Sequence, residues 1–138
     1  MIILSVDYGD TRTGIAVCDK GEILASPVTV LTQKNSGLLS AEIADIAREK
    51  RAELIVVGLP KNMDGTEGVR AEKSRRLSQE INKKTGLECV MWDERLTTVS
   101  AHNELNTTNT RGKKRKAVVD AVAAVLILQS YIDYRKKH

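Results

Sequence analysis

The chain has 138 residues, long enough to bury a core of its own and too short for an enzyme that closes two domains around its substrate. Its apolar share of 41%, rich in Val, Ile and Leu and without Phe, excludes a disordered chain. The 22 Lys and Arg against 18 Asp and Glu leave +4, a modest excess that says little about a partner unless it is clustered.

No apolar run approaches the roughly 18 residues that would cross a bilayer. The opening segment meets Asp7 too early for a signal peptide. The expectation is therefore a single soluble domain over residues 1–138, in a bacterial cytoplasm and without membrane contact. Cys18 and Cys89 sit in apolar, strand-like runs with no CxxC or Cys/His spacing, and read as reduced thiols.

In chain order, Ile2-Ile3-Leu4-Ser5-Val6 is a nearly unbroken apolar run ending in Asp7-Tyr8-Gly9, which predicts a central strand covered on both faces. Residues 13–18 give a second strand, and Asp19-Lys20-Gly21 turns into a third over 22–31. Pro27 puts that third strand at an edge. A helix follows over 40–50, with Leu39, Ile43, Ile46 and Ala47 on one face. Leu54 to Val57 is a buried strand stopped by Gly58-Leu59-Pro60, and residues 62–68 form a loop. A polar helix over 69–84 stops at Gly86. Residues 88–92 form a fifth strand, Thr97 or Thr98 caps a helix reaching about 105, and 106–116 is a polar loop. The last helix runs over about 114–134. Three meandering strands followed by right-handed crossovers predict an α/β fold: a five-stranded mixed sheet of order 3-2-1-4-5, with helices on both faces.

Three carboxylates draw attention. Asp7 closes the central strand, where open α/β sheets hold ligands. Glu94 ends the fifth strand, with Asp93 beside it. Adjacent strand residues face opposite ways, and Asp93 is suited to tying down the turn, so Glu94 is preferred. Asp120 stands in Ala117-Val118-Val119-Asp120-Ala121-Val122-Ala123-Ala124, a stretch otherwise free of charge, where an acid needs a cation. An ion pair with Lys113 or Lys116 would also satisfy it. Three acids from separate segments suit Mg²⁺ or Mn²⁺, hard cations that take oxygen ligands and activate water for phosphodiester hydrolysis. The histidines do not compete, since His102 lies on a polar stretch and His138 is the last residue.

Four motifs in order carry a resemblance: Asp7-Tyr8-Gly9-Asp10-Thr11-Arg12-Thr13-Gly14, Gly58-Leu59-Pro60 with Asp64-Gly65-Thr66, Asp93-Glu94-Arg95-Leu96-Thr97-Thr98, and Asp120-Ala121-Val122-Ala123-Ala124. Over nearly the whole chain it resembles the YqgF family, described as Holliday-junction resolvases and as nucleases maturing the small-subunit ribosomal RNA precursor. The resemblance implies a ribonuclease H-like fold related to the resolvase RuvC. It also implies catalytic and metal-binding roles for Asp7, Glu94 and Asp120, and processing of the 5′ end of pre-16S rRNA.

Nucleic acid is the expected partner, as a structured RNA precursor or branched DNA. Arg111-Gly112-Lys113-Lys114-Arg115-Lys116 packs five cations into six residues just before Asp120. Read as part of a loop, it would order on substrate. Arg12 and Arg95 are placed to fork onto phosphates, Arg95 equally to pair with a nearby acid, and Lys61 and Asn62 to line the cleft. Tyr8 and Trp92 flank the acids, with core packing the simpler role for each. Residues 135–137 read as a solvated basic tail. With no apolar dimer stripe in view, the chain is expected as a monomer or weak homodimer. Two rivals are an actin-like phosphotransferase, which needs a second domain, and a ribosome-assembly factor that binds without cutting.

Overall fold

The computed structural model describes residues 1–97 and 112–138, with side chains described for 1–97 and 121–138. Five strands form one sheet: β1 (Ile3–Tyr8), β2 (Thr13–Cys18), β3 (Ala25–Leu31), β4 (Leu54–Leu59) and β5 (Cys89–Asp93). Their order is β3-β2-β1-β4-β5, with β1, β2 and β3 antiparallel in succession and β4 parallel to both β1 and β5. Helix α1 (Ser36–Glu49) and α2 (Val69–Thr85) are the two crossovers, and α3 (Gly112–Lys137) comes last. This is the expected α/β order.

The unbroken apolar run of β1 is central because it must satisfy both faces. Ile3 joins Ala16, Val56, Ala124, Leu128 and Ile132 on the α3 side of the sheet. Leu4 and Val6 join Leu39, Ile43, Leu77 and Ile81 on the side of α1 and α2. Alternation along the strand then directs Ser5 and Asp7 to the α3 side. Ser5 uses that position at once: its buried hydroxyl donates to the Ala124 carbonyl at 2.8 Å.

Several boundaries move from the sequence reading, each for a local reason. The third strand starts at Ala25, not residue 22, because Asp19 Oδ1 accepts the N–H groups of Ile23 and Leu24 at 2.9 and 3.1 Å and holds the turn open longer. Helix α1 starts at Ser36, not 40, because Asn35 caps it through the Leu38 N–H at 3.0 Å. Strand β4 does not stop at Gly58 but runs through it to Leu59. Gly86 ends α2 as expected, at φ 73°.

The largest correction concerns the basic run. Helix α3 begins at Gly112, so Lys113, Lys114, Arg115 and Lys116 belong to its first turns and not to a loop. Lys and Arg are good helix formers, and nothing in that stretch beyond its glycine opposes a helix. Arg111, and the helix expected after Thr97 or Thr98, lie outside the described residues.

Arg135 is likewise no solvated tail. Its guanidinium meets Glu22 at 2.8 Å and lies 5.8 Å from the Tyr131 ring centroid. Gln129 adds two further ties to the β2–β3 turn, accepting from Ala25 N–H at 3.0 Å and donating to the Ile23 carbonyl at 3.1 Å. These contacts set the direction of α3. Its C-terminal end lies at the β2–β3 turn, and its N-terminal end points toward the strand ends that carry Asp7 and Glu94.

Cys18 and Cys89 are both free thiols, and burial pushes the Cys89 thiol up to about 11. Among the described residues no helix is long and apolar enough to cross a membrane.

The Glu22–Arg135 pair gives a pH-dependent tie between the turn and α3. The Arg135 hydrogen bond holds the Glu22 carboxyl below its ordinary value. A depressed acid contributes stability above its unfolded value, about 4.3, which is lost as the pH falls through the folded value. Glu22→Gln is expected to lose about 1 kcal/mol at pH 7 in urea unfolding. The gap to the parent should close below pH 4, and a gap unchanged by pH would refute the tie.

Candidate active site

The C-terminal ends of β1, β4 and β5 lie side by side, and two acids meet there. Val6 pairs with Val57 in the parallel β1–β4 register, so the next step along both strands sets Asp7 beside Gly58. Gly58 in turn pairs with Trp92 on β5. Glu94 follows β5 immediately, in a short 3₁₀ turn over Glu94–Leu96. Its carboxyl is hydrogen-bonded to that of Asp7, two strands away.

What lets them meet is an absent side chain. A Cβ on Gly58 would lie 2.7 Å from Ile127 Cδ1, 3.1 Å from Glu94 Oε1 and 3.2 Å from Glu94 Cγ. Glu94 therefore lies across the bare backbone of β4, beneath α3, to reach β1. A Cβ at 58 would force the Ile127 Cδ1 methyl to turn aside and would crowd the Glu94 side chain, which has to give by a few tenths of an ångström.

The pairing has an electrostatic consequence. Two carboxylates within hydrogen-bond distance cannot both be ionised without a cation; otherwise they share a proton. Burial raises the Glu94 pKa above the ordinary carboxylate value, while the Asp7 hydrogen bond and the charge of Arg70 oppose the rise. Arg70 stands in the first turn of α2. The sequence reading passed over both Gly58 and Arg70, treating the first as a strand stop and the second as part of a polar helix. The signal for Arg70 was its place at the start of a helix that follows a glycine-rich loop.

Asp93 has different work. Its carboxylate accepts from the Arg95 backbone N–H at 2.9 Å and pairs with the Arg95 guanidinium at 2.7 Å. The Arg95 hydrogen bond holds the Asp93 pKa below the ordinary value. Asp93 thus ties down the turn, and the neighbouring Glu94 faces Asp7.

The third acid belongs to α3. The hydrogen bond from Ser5 fixes Ala124 over β1. Position 120 lies one helical turn, about 6 Å, nearer the N-terminal end of α3, and so toward Asp7. The Asp120 side chain lies outside the described residues. Among the described residues no group of three or more His, Cys, Asp or Glu side chains converges as a metal site.

The expected nucleic-acid contacts divide. Arg12 is half-buried at the end of the β1–β2 turn, and a Cβ on Gly9 would collide with its carbonyl. Lys61 forms an isolated bridge with Glu67, closing the loop after β4. Asn62 donates from its side-chain amide to Thr66 Oγ1 at 2.9 Å and so holds that loop together. Arg95 is engaged with Asp93 and donates to the Met63 carbonyl at 3.4 Å. Trp92 is 8% exposed and packs edge-on against Tyr131, 5.3 Å between centroids, so it belongs to the core.

The architecture is that of the ribonuclease H-like resolvases. The chain superimposes on *Thermus thermophilus* RuvC, solved with a Holliday junction substrate, with a TM-score of 0.65 at 13% identity, covering 99% of this chain and 96% of that one. It also superimposes on the fowlpox virus resolvase, solved with Holliday junction DNA, with a TM-score of 0.56 at 11% identity over 98% and 99% of the chains. At those identities the likeness is one of fold.

Sequence carries the relationship further. Residues 1–134 match the family model described as RuvX: Holliday junction resolvase. A protein of *Agathobacter rectalis* named "Putative pre-16S rRNA nuclease" is 42% identical over 137 residues, covering 97% of this chain and 96% of its own. Others of that name are 41% identical in *Halothermothrix orenii*, over 99% and 98% of the chains, and 38% identical in *Carboxydothermus hydrogenoformans*, over 100% of both. The chain belongs to the RuvX family. Nuclease activity, the hydrolysis of phosphodiester bonds, goes with that membership.

Gly58→Ala tests the site's construction. The crowded methyl should destabilise the fold by about 1–3 kcal/mol in urea unfolding, and nuclease activity should fall further than the loss of folded protein explains. Pairing it with Ile127→Val, which removes only the Cδ1 that the new methyl meets, should cost less stability than the two changes made separately, while activity stays low because the Glu94 contact remains. Parent-like stability and activity in Gly58→Ala alone would contradict the geometry.

Proposed function

We propose that this chain is a divalent-metal-dependent nuclease that processes the 5′ end of pre-16S rRNA, with Asp7, Glu94 and Asp120 as its catalytic, metal-holding acids. The observation that carries the reading is the Asp7–Glu94 hydrogen bond at the C-terminal edge of the sheet. Two oxygen-donor side chains held this close suit a hard cation, which would offset the repulsion between their charges. Mg²⁺ or Mn²⁺ bound there would supply an activated water and offset the charge that builds on the phosphate.

The chain's own residues then have distinct tasks. Asp7 and Glu94 present carboxylate oxygens from the end of β1 and from the turn after β5, and Asp120 is assigned the third from α3. Arg70, whose charge reaches Glu94, stands where an incoming phosphate needs compensation. Arg12 and Lys61 flank the same edge. Lys113, Lys114, Arg115 and Lys116 form a cationic approach along the first turns of α3, with Arg111 just before them. Arg95 and Asn62 act indirectly, by bracing the turn and the loop.

The names of the relatives favour the RNA precursor as substrate. The description of the matching family model favours a second reading, resolution of four-way DNA junctions. The first needs only one site, whereas symmetric junction cleavage asks for a dimer. The proposal includes a single domain over 1–138, acting in the cytoplasm as a monomer or weak homodimer.

Purified protein should be offered precursor rRNA and a four-way DNA junction side by side, in Mg²⁺ or Mn²⁺. Cleavage of the precursor near its mature 5′ end is the expected result, and preference for the junction would favour the second reading. Asp7→Asn should lower cleavage by at least about 100-fold while binding is kept or tightened, since a carboxylate facing phosphate is removed. Parent-like cutting by Asp7→Asn would refute the catalytic assignment. Binding without cleavage by the parent would leave a ribosome-assembly factor.

A further inference from the structure

The loop between β4 and α2 carries an unusual combination of rigidity and an exposed apolar tip. Its base is closed by the bridge between Lys61 and Glu67, and by the Asn62 N–H donating to the Thr66 carbonyl at 2.9 Å. The Gly65 N–H donates to the Asn62 carbonyl at 2.9 Å, closing a turn with Met63 and Asp64 at its centre. Gly65 has φ +89°, a conformation that L side chains rarely adopt. Asp64 Oδ1 accepts from both the N–H and the hydroxyl of Thr66, at 2.9 and 2.6 Å. Glu67 is gripped by Arg75 at 2.7 Å. Polar side chains thus fill every role in the loop except one.

That exception is Met63, 93% exposed at the tip. Turn centres ordinarily take polar residues, Gly or Pro, and an apolar side chain held in water gains nothing from the fold. Met63 is also tied to the turn that carries Glu94. Its carbonyl accepts from Arg95 at 3.4 Å, Arg95 is anchored on Asp93, and Glu94 lies between those two in the chain. Gly65 packs against the same guanidinium, where a Cβ would lie 3.5 Å from it. Lys61 and Arg70 at the two ends of the loop provide positive charge for a phosphate backbone.

We infer that residues 61–67 form a rigid wedge that presents Met63 to a base of the bound nucleic acid, prising it from its stack beside the carboxylate pair. This rests on the nuclease reading and adds to it a residue that shapes the substrate. Apolar side chains, methionine among them, serve as wedges between base steps in minor-groove DNA recognition. Here the flanking cations hold the backbone while the thioether, polarizable and adaptable, takes up the exposed base face. A nucleotide unstacked next to the cleaved bond leaves its phosphate free to turn toward Asp7 and Glu94.

The test uses full-length protein and an RNA hairpin with a single-stranded 5′ extension. 2-Aminopurine, which brightens when unstacked, is placed in turn at each nucleotide around the duplex end, in EDTA so that nothing is cut. The parent and Met63→Leu should raise emission several-fold at one position, and Met63→Ala should not, though anisotropy shows all three bound. In Mg²⁺ or Mn²⁺, Met63→Ala should lose roughly an order of magnitude in kcat/KM. Because the side chain is solvent-exposed, its unfolding curve should match the parent's. Equal emission with Met63→Ala, no rise with bound parent at any position, or no binding at all would each overturn the wedge. A Met63-dependent rise without cleavage in metal would refute the nuclease reading alone and leave the wedge standing.

Discussion

Two carboxyl groups, one ending β1 and one just past β5, meet over a residue that has no side chain, and the rest of the site depends on that meeting. Asp7 ends β1, Glu94 follows β5, and β4 runs between them. A side chain at position 58 on the α3 side would fill the gap that Glu94 crosses. Glycine within a strand is unfavourable for entropy and packing. Its presence inside β4, where every residue is buried, is explained by what lies above it. The two acids pay an electrostatic penalty for proximity, and a bound cation would remove it.

The frame that holds this geometry is built from both ends of α3. Near the site, Ser5 grips the Ala124 carbonyl; far from it, Gln129 and Arg135 fasten the helix to the β2–β3 turn. Between these ties Ile127, Leu128, Tyr131 and Ile132 bury against the sheet. The helix is thereby fixed from Ala124 to Arg135, and Ile127 closes the space above Gly58. Stability and site geometry share the same contacts, so changes along this face of α3 should affect both.

Much of this was legible in the residues. The unbroken apolar run of β1 marked it as central, Pro27 marked β3 as an edge, and the change of period from residue 40 marked the first crossover. Asp7 stood out because a carboxylate ending a buried strand has few structural reasons to be there. The preference for Glu94 over Asp93 rested on Asp93 being suited to the turn; in the structure Asp93 holds Arg95, while Glu94, already past the end of β5, meets Asp7. Other features were not legible. Gly58 looked like a strand stop because a sequence does not show what lies above a glycine. For Arg95 the sequence left a phosphate and a nearby acid equally open, because residue type does not show which partner a side chain already has; the structure pairs it with Asp93. The basic run before Asp120 looked like a loop because charge density masked its helix propensity.

A crystal grown or soaked with Mn²⁺ would test the central claim most directly, through the anomalous signal of the metal. The account predicts a peak between the Asp7 and Glu94 carboxylates, with oxygen distances of about 2.2 Å, and their mutual hydrogen bond replaced by bonds to the ion. A structure at saturating Mn²⁺ in which those two acids remain hydrogen-bonded to each other, with the metal elsewhere, would contradict it.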